Sequence, residues 1–257
     1  MAFASLGAAG MALRIEYEWA GTAGAGAPVL VFLHEGLGSV SMWRDFPARL
    51  CEAVGMRGLV YSRPGYGRST PRPADIKWQP DFMHVQARDV LPALLEELGV
   101  DQPWLFGHSD GGSIALLYAA AFPDALRGAI VLAPHILVED ISVTSIEKAK
   151  QAYSQTDLRQ KLARHHDDVD SAFRGWNDVW LSPAFRGWSI EEEIRAIRCP
   201  LLAMQGLDDE YGTLEQVRGI ARRVPQARLL EIPKCGHSPH KDQPEAVIEA
   251  VKTFVSQ

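Results

Sequence analysis

The chain has 257 residues, of which 47% are hydrophobic and 23% charged, a balance typical of a globular domain that excludes a disordered chain. This length is enough for one large α/β core that needs no disulfide or metal to fold. A formal net charge of −6, without any basic run, excludes nucleic acid and anionic membrane surfaces as favoured partners.

The N-terminal segment, residues 1–13, carries no side-chain charge, and no basic residue precedes Arg14. It therefore lacks the basic start of a secretory signal and is too short to span a bilayer. We expect a frayed or mis-started N-terminus, with Met11 as another start. The cysteines, Cys51, Cys199 and Cys235, lie far apart without Cys-x-x-Cys spacing, which favours a reducing, cytoplasmic compartment.

Six short apolar runs predict strands. They cover residues 28–34, 58–62, 104–107, 129–133, 201–205 and 228–232. These runs are largely apolar rather than alternating, which is typical of parallel strands covered on both faces.

Amphipathic stretches between these runs predict helices over residues 42–54, 82–98, 111–121, 214–224 and 244–255. Alternation of strands and helices predicts an α/β fold with a mostly parallel, doubly wound sheet and right-handed crossovers. In such sheets ligands bind at the carboxyl ends of the strands.

The stretch from residue 137 to 198 shows no strand pattern. It contains a polar helical segment, residues 146–161, followed by the aromatic residues Phe173, Trp176, Trp180, Phe185 and Trp188. We interpret it as a helical cap, or lid, over one sheet edge, inserted into a core made of residues 1–136 and 199–257. Most of these aromatic side chains are expected to fill the seam between cap and core, and Trp176 and Trp180 are our candidates for substrate contacts.

The motif Gly107-His108-Ser109-Asp110-Gly111-Gly112 follows a predicted strand and opens a predicted helix. A G-x-S-x-G sequence in that place is typical of a tight turn that holds a nucleophilic serine above the sheet at a helix N-terminus. Backbone N–H groups there can stabilise an oxyanion. We therefore predict Ser109 as a nucleophile.

A serine nucleophile needs a histidine base and an acid that orients it, in the chain order serine, acid, histidine. Asp209 is our first candidate for the acid and Asp208 the alternative, because both follow the strand predicted at 201–205. His237 follows the last predicted strand and is the candidate base, whereas we expect His240 at the surface or rim.

The oxyanion hole needs two N–H donors. We predict one from Asp110 and the other from Gly36, with Glu35 as the alternative to Gly36. His135 follows a strand at the same edge and is a candidate for either substrate contact or a structural role.

With these motifs, residues 28–257 resemble an α/β-hydrolase-fold serine hydrolase of the lidded esterase, lactonase and C–C hydrolase type. The segments Arg63-Pro64-Gly65-Tyr66-Gly67-Arg68-Ser69 and Arg198-Cys199-Pro200 are similar to family turns. The resemblance implies an acyl-enzyme mechanism without a cofactor or metal. Serine at the nucleophile position argues against a haloalkane dehalogenase or an epoxide hydrolase.

Glu35 departs from the family pattern, which usually has glycine after the histidine of this loop. An ionised carboxylate there would oppose the developing negative charge. Either Glu35 points away and bonds to backbone or a cation, or it is protonated or faces the substrate. The Asp110 side chain either adds to a polar pocket floor or caps the following helix.

The other histidines have structural interpretations. We expect His34 and His108 to bond to backbone. The run His165-His166-Asp167-Asp168 has the composition of a metal cluster, but adjacent helical residues diverge, so we interpret it as a solvated helix end. Tyr211 and Gly212 are interpreted as loop structure.

The sequence thus predicts a carboxylesterase-like hydrolase acting on a small to medium ester or lactone as its small-molecule partner. Three alternatives stay open: a C–C bond hydrolase, a non-catalytic ligand-binding protein, and a lyase using Ser109 and His237 without an acyl-enzyme. The oligomeric state also stays open, with a homodimer as one option.

Overall fold

A computed structural model describes residues 2–73 and 75–256. Within these residues one sheet contains eight strands in the order β1-β2-β4-β3-β5-β6-β7-β8. The strands are β1 (Ala2–Ala8), β2 (Met11–Ala20), β3 (Val29–Leu33), β4 (Arg57–Tyr61), β5 (Trp104–His108), β6 (Gly128–Leu132), β7 (Leu201–Gly206) and β8 (Ala227–Ile232).

Strands β3 to β8 pair in parallel, which confirms the predicted doubly wound α/β sheet. The continuous apolar runs follow from burial on both faces. In β3, Leu30 and Phe32 belong to one core cluster and Val31 and Leu33 to the other, because successive side chains point to opposite faces. The parallel direction brings the carboxyl ends of β3, β5, β6, β7 and β8 to one edge.

The expectation of a frayed N-terminus is wrong. Strand β1 pairs antiparallel with β2 from Ala2↔Tyr17 to Ala8↔Met11, and β2 pairs with β4. Ala9 and Gly10 form the turn with φ of 50° and 74°, the left-handed conformation that tight hairpins require. Small residues of low strand propensity obscured the alternation of buried and exposed positions.

The helices flank the sheet or lie between β6 and β7. They are α1 (Phe46–Val54), α2 (Phe82–Val85), α3 (Leu91–Glu97), α4 (Asp110–Ala121), α5 (Asp140–Gln155), α6 (Leu158–Leu162), α7 (Val169–Trp180), α8 (Glu215–Arg223), α9 (Pro239–Asp242) and α10 (Pro244–Val255). In the described residues none of these helices is long and apolar enough to cross a membrane.

Three predicted helices are divided in the structure. The segment 42–54 is a 3₁₀ turn (Val40–Trp43) followed by α1. The segment 82–98 contains a π-helical turn, Gln86–Val90, between α2 and α3. Pro92, at the start of α3, lacks the N–H that would continue the regular helical bonding. The polar helix predicted at 146–161 is α5, which ends at Gln155, and the separate α6.

The helical insertion, residues 137–198, leaves the sheet after β6 and returns at β7. An isolated bridge between Leu137 and Ser189 joins its two ends. Helix α7 buries Trp176 and Trp180 against the same core cluster that covers one face of the sheet. This insertion therefore packs over the edge where the strands have their carboxyl ends.

The hairpin yields a matched test on two neighbouring residues. Ala4 is 4% exposed and faces the core, whereas Phe3 is 41% exposed beneath the Arg14 guanidinium. Ala4→Asp should lower the free energy of unfolding by roughly 2–4 kcal/mol, because it buries an unpaired charge. Phe3→Asp should lower it by less than about 1 kcal/mol. Urea unfolding measures both, and equal small effects would contradict an ordered β1.

Candidate active site

The turn between β5 and α4 holds Ser109 in a strained backbone conformation, with φ of 54° and ψ of −122°. Its surroundings admit no side chain at the flanking glycines. A Cβ on Gly107 would lie 2.3 Å from the Gly111 carbonyl oxygen, and one on Gly111 would lie 2.1 Å from the Leu33 carbonyl oxygen. Glycines at both positions are therefore a steric requirement of the turn.

Three side chains from separate loops form a continuous hydrogen-bonded series. His237 Nε2 lies 2.9 Å from Ser109 Oγ, and His237 Nδ1 lies 2.8 Å from Asp209 Oδ1. A carboxylate only accepts, so Nδ1 carries the proton and donates it to Asp209. The unprotonated Nε2 then accepts from the Ser109 hydroxyl. This arrangement can remove a proton from the serine oxygen.

Asp209 is held as an ionised acceptor. Burial raises the pKa of Asp209. Hydrogen bonds from the His237 ring and the Tyr211 N–H lower it by more than burial raises it, so the net pKa lies below its ordinary value. Gln205 Nε2 donates to its second oxygen at 3.0 Å. Asp208, the alternative acid, is exposed, and the structure brings Asp209 rather than Asp208 to His237.

Among the aromatic neighbours of the His237 ring is Tyr211, which the sequence did not single out as functional. The Tyr211 ring lies 4.7 Å from it between centroids and the His135 ring 5.7 Å. Tyr211 therefore contacts the imidazole rather than serving only as loop structure. The sequence signal that could have indicated this contact is the position of the aromatic residue, two residues after the candidate acid.

The expectation that His240 lies at the surface or rim is wrong. Helix α9 turns this side chain inward, where it is 4% exposed. Its ring centroid lies 4.7 Å from that of His108 and 4.8 Å from that of Trp43. Burial and the nearby His108 hold the pKa of His240 well below its ordinary value, so it is a neutral core residue.

The Glu35 carboxylate lies between the Lys241 ammonium and the His108 ring. Its Oε1 is 3.6 Å from Lys241 Nζ and its Oε2 is 3.6 Å from His108 Nδ1. Burial favours the protonated acid, but the contacts with His108 and Lys241 outweigh it and hold the pKa of Glu35 well below its ordinary value. The sequence left open whether Glu35 binds backbone or a cation, or is protonated or faces the substrate. The contact with Lys241 favours a carboxylate bound to a cation.

Gly36 and Asp110, the candidate oxyanion donors, both border the same cavity as Ser109. A Cβ on Gly36 would lie 2.1 Å from Trp176 Nε1, so the indole packs directly on this backbone. The structure therefore brings the β3 loop, the nucleophile turn and α7 together.

The Asp110 side chain does not cap α4; instead it is buried under the helical insertion. Trp180 Nε1 donates to Oδ1 at 3.2 Å, and Arg63 Nη2 lies 4.0 Å from Oδ2. Burial raises the pKa of Asp110 to about 6 against the opposing effects of Arg63 and Trp180. This carboxyl group thus titrates close to neutral pH.

A cavity of about 180 Å³ opens beside Ser109. Its lining comprises Glu35, Gly36, Leu37, His108, Ser109, Asp110, His135, Ile146, Trp176, Trp180, Glu210, Tyr211, His237 and Ser238. The candidate contacts His135, Trp176, Trp180 and Glu35 are therefore all in the wall. Burial lowers the pKa of His135 to about 3, so its imidazole is neutral at physiological pH.

His108 and His166 both bond to backbone at this edge. His108 Nε2 lies 2.7 Å from the His237 carbonyl oxygen. His166 was expected in a solvated helix end, and that is wrong: it is buried, accepts from the Gly67 N–H at Nδ1 and contacts the Leu37 carbonyl with Nε2. Asp168 accepts from the Ser171 N–H and caps α7.

Among the residues described, no three His, Cys, Asp or Glu side chains are grouped to hold a metal ion.

Comparison with known proteins shows the family to which the chain is similar. Residues 30–250 match the model of the "Alpha/beta hydrolase family". A 2-succinyl-6-hydroxy-2,4-cyclohexadiene-1-carboxylate synthase of Klebsiella pneumoniae (strain 342) is 30% identical over 258 residues, covering 90% of this chain and 95% of the relative. An esterase of Mycobacterium tuberculosis is 28% identical over 258 residues, covering 89% of this chain and 83% of the relative.

The fold likeness extends to solved structures. A thermophilic esterase from Thermogutta terrifontis superposes with a TM-score of 0.72 at 22% identity, over 100% of this chain and 98% of that one. At this identity the likeness concerns the fold. Its full coverage includes the N-terminal hairpin and the helical insertion.

The Asp110 environment predicts a pH-dependent stability difference. Because the folded pKa is raised, the stability that the protonated acid contributes is complete below pH 4 and is lost as pH rises through about 6. Asp110→Asn keeps an acceptor for Trp180 but cannot ionise. Its free energy of unfolding, relative to wild type, should rise by up to about 3 kcal/mol between pH 4 and pH 7.5.

Urea unfolding across this pH range measures the difference, with Asp208→Asn as a control at an exposed aspartate. A gap between wild type and Asp110→Asn that stays constant with pH would contradict the raised pKa.

Proposed function

Because this chain belongs to the alpha/beta hydrolase family, we propose that it is a serine hydrolase that cleaves a small carboxylic ester or lactone through an acyl-enzyme. The hydrogen-bonded series from Ser109 through His237 to Asp209 is the observation that carries the proposal. It supplies a nucleophile, a base with a free acceptor nitrogen and an acid that fixes the tautomer.

In the first half-reaction Ser109 Oγ attacks the ester carbonyl carbon while His237 Nε2 takes its proton. The carbonyl oxygen becomes an oxyanion that accepts hydrogen bonds from the N–H groups of Gly36 and Asp110. The imidazolium then gives its proton to the leaving alcohol oxygen as the C–O bond breaks. The product of this step is an ester between the substrate acyl group and Ser109.

In the second half-reaction a water molecule attacks the acyl carbon. His237 takes one proton from that water, and the oxyanion forms again at the same donors. Collapse of the tetrahedral intermediate returns the proton to Ser109 Oγ and releases the carboxylic acid. Asp209, with its lowered pKa, stays ionised beside the imidazolium throughout.

The helical insertion is proposed as the lid, so that residues 1–136 and 199–257 are the catalytic core. Trp176 and Trp180 of α7 line the cavity above Ser109. The cavity of about 180 Å³ lies below the roughly 300–1,000 Å³ of pockets for drug-sized ligands, which supports a small acyl group. Neutral His135 offers a hydrogen bond to a polar substituent.

The ester substrate also draws support from the Mycobacterium relative, which is named an esterase. The competing use of this site is a lyase reaction, in which Ser109 and His237 carry out acid–base chemistry without an acyl-enzyme. The Klebsiella relative is named a synthase rather than a hydrolase. The two reactions differ in whether Ser109 becomes acylated.

Ser109→Ala should lower turnover of p-nitrophenyl acetate by roughly 10³–10⁶-fold, because it removes the nucleophile. Ser154→Ala, at an exposed serine of α5, should match wild type. A fluorophosphonate should label wild type at Ser109, with the site identified by peptide mass. Hydrolysis that is unchanged in Ser109→Ala would overturn the proposal, and hydrolysis without any labelling or burst would contradict the acyl-enzyme.

The size limit yields a second test. Trp176→Ala should raise the kcat/KM ratio of p-nitrophenyl hexanoate over acetate by at least about tenfold, because it opens space above Gly36. Trp188→Ala is the matched control, since Trp188 is 8% exposed against 7% for Trp176 and lies outside the cavity lining. An unchanged ratio in Trp176→Ala, or an equal change in both variants, would remove the indole from acyl selection.

A further inference from the structure

The backbone carbonyl of Glu35 receives an unusual number of hydrogen bonds. Arg63 Nη2 donates to it at 2.8 Å, the Gly38 N–H donates at 3.1 Å, and His34 Nδ1 lies 2.7 Å away. A carbonyl oxygen has two lone pairs, so three donors saturate it. This carbonyl belongs to the same peptide unit as the Gly36 N–H.

The tautomer of His34 follows from its other nitrogen. The Arg63 backbone N–H donates to His34 Nε2 at 3.0 Å, so Nε2 is an acceptor and Nδ1 carries the proton. Burial and the Arg63 charge hold the pKa of His34 well below its ordinary value, so the ring stays neutral. Arg63 thus contacts the Glu35 carbonyl directly and also through the fixed imidazole.

A trans peptide unit directs its C=O and N–H to opposite sides. Donors that hold the Glu35 carbonyl toward Arg63 and His34 therefore hold the Gly36 N–H in the opposite direction. Gly36 borders the cavity together with Ser109. Rotation of this peptide would break all three bonds to the carbonyl at once.

Burial of the Arg63 guanidinium is energetically unfavourable. Its side chain has 0% exposure, and the Asp110 carboxylate at 4.0 Å is its ion-pair partner. Its Nε and Nη1 have no hydrogen-bond partner among the described residues. A buried guanidinium pays a large desolvation penalty that this distant pair does not offset, which argues for a role beyond stability.

We propose that Arg63 is a positioning residue for the oxyanion hole: it locks the 35–36 peptide and polarises it, so that the Gly36 N–H is a fixed, strengthened donor. A charge-assisted bond to a carbonyl is about twice as strong as a neutral one, and polarisation passes along the peptide to its N–H. The proposal rests on the proposed function, because this N–H matters only where an oxyanion forms.

The test compares catalysis with binding of an oxyanion mimic. Arg63→Gln and Arg63→Met should lower kcat for p-nitrophenyl acetate by about 10- to 100-fold, a fraction of the loss when a whole donor is removed, with KM within about threefold of wild type. Inhibition by phenylboronic acid, which forms a tetrahedral anion on a serine, should weaken by the same factor. Arg63→Lys, which keeps the charge, should recover part of both losses.

Tyr66→Phe is the matched control. The Tyr66 ring lies 4.7 Å from the Arg63 guanidinium, and its hydroxyl has no hydrogen-bond partner among the described residues. This variant should match wild type in kcat and in boronate affinity. Thermal melts identify the folded variants, and Arg63→Gln, which keeps a polar group in the site, decides the question if Arg63→Met does not fold.

The outcomes separate the two proposals. If kcat falls but boronate affinity stays within about twofold of wild type, Arg63 has a merely structural role and this inference is overturned. If Ser109→Ala is as active as wild type and phenylboronic acid does not inhibit, the proposed function itself fails. Parallel losses in kcat and boronate affinity, absent from Tyr66→Phe, support the positioning role.

Discussion

The close contact between the nucleophile turn and the neighbouring strand is the constraint on which the site depends. The backbone at Gly111 lies so close to the Leu33 carbonyl, and that at Gly107 so close to the Gly111 carbonyl, that neither position has room for a Cβ. Between these two glycines the chain passes from β5 to α4 through one strained residue. That residue is Ser109, with a positive φ. Because β3 is hydrogen-bonded to β5, the same contact fixes the distance between Ser109 and the loop that follows β3. Strands β6, β7 and β8 then set the positions of His135, Asp209 and His237 along one edge.

Much of this edge could be predicted from local sequence. The parallel strands were predictable because they are short, largely apolar runs, although β8 at the sheet edge contains Arg228 and Glu231. The hydrolase fold was predictable because glycines bracket Ser109 between a strand and a helix. The proximity of Asp209 and His237 to Ser109 could be expected because parallel strands present their carboxyl ends together. What failed depends on tertiary packing. The strand of small residues at Ala4 and Ala8 has no local signature, and the burial of His166 and His240 is decided by distant segments that cover them.

The loop after β3 illustrates the same division. Glu35 was recognised from the sequence as a departure from the family pattern. Its side-chain partners, however, come from β5 and α9, and nothing in the sequence spacing predicts that Lys241 is one of them. The Glu35 carbonyl is likewise bound by a residue distant in sequence, Arg63. The residue is thus tied at both its side chain and its carbonyl. The Lys241 ammonium lies beside this carboxylate and partly offsets its charge at the wall of the cavity.

The Trp180–Asp110 hydrogen bond joins the helical insertion to the residue next to Ser109. Burial keeps the Asp110 carboxyl group partly protonated near pH 6. Any displacement of α7 that admits water would let this acid ionise more readily, and thermodynamic linkage then requires that such an opening release a proton. The helical insertion and the residue that follows the nucleophile thus share one buried acid, so the packing of α7 and the charge of Asp110 cannot change independently.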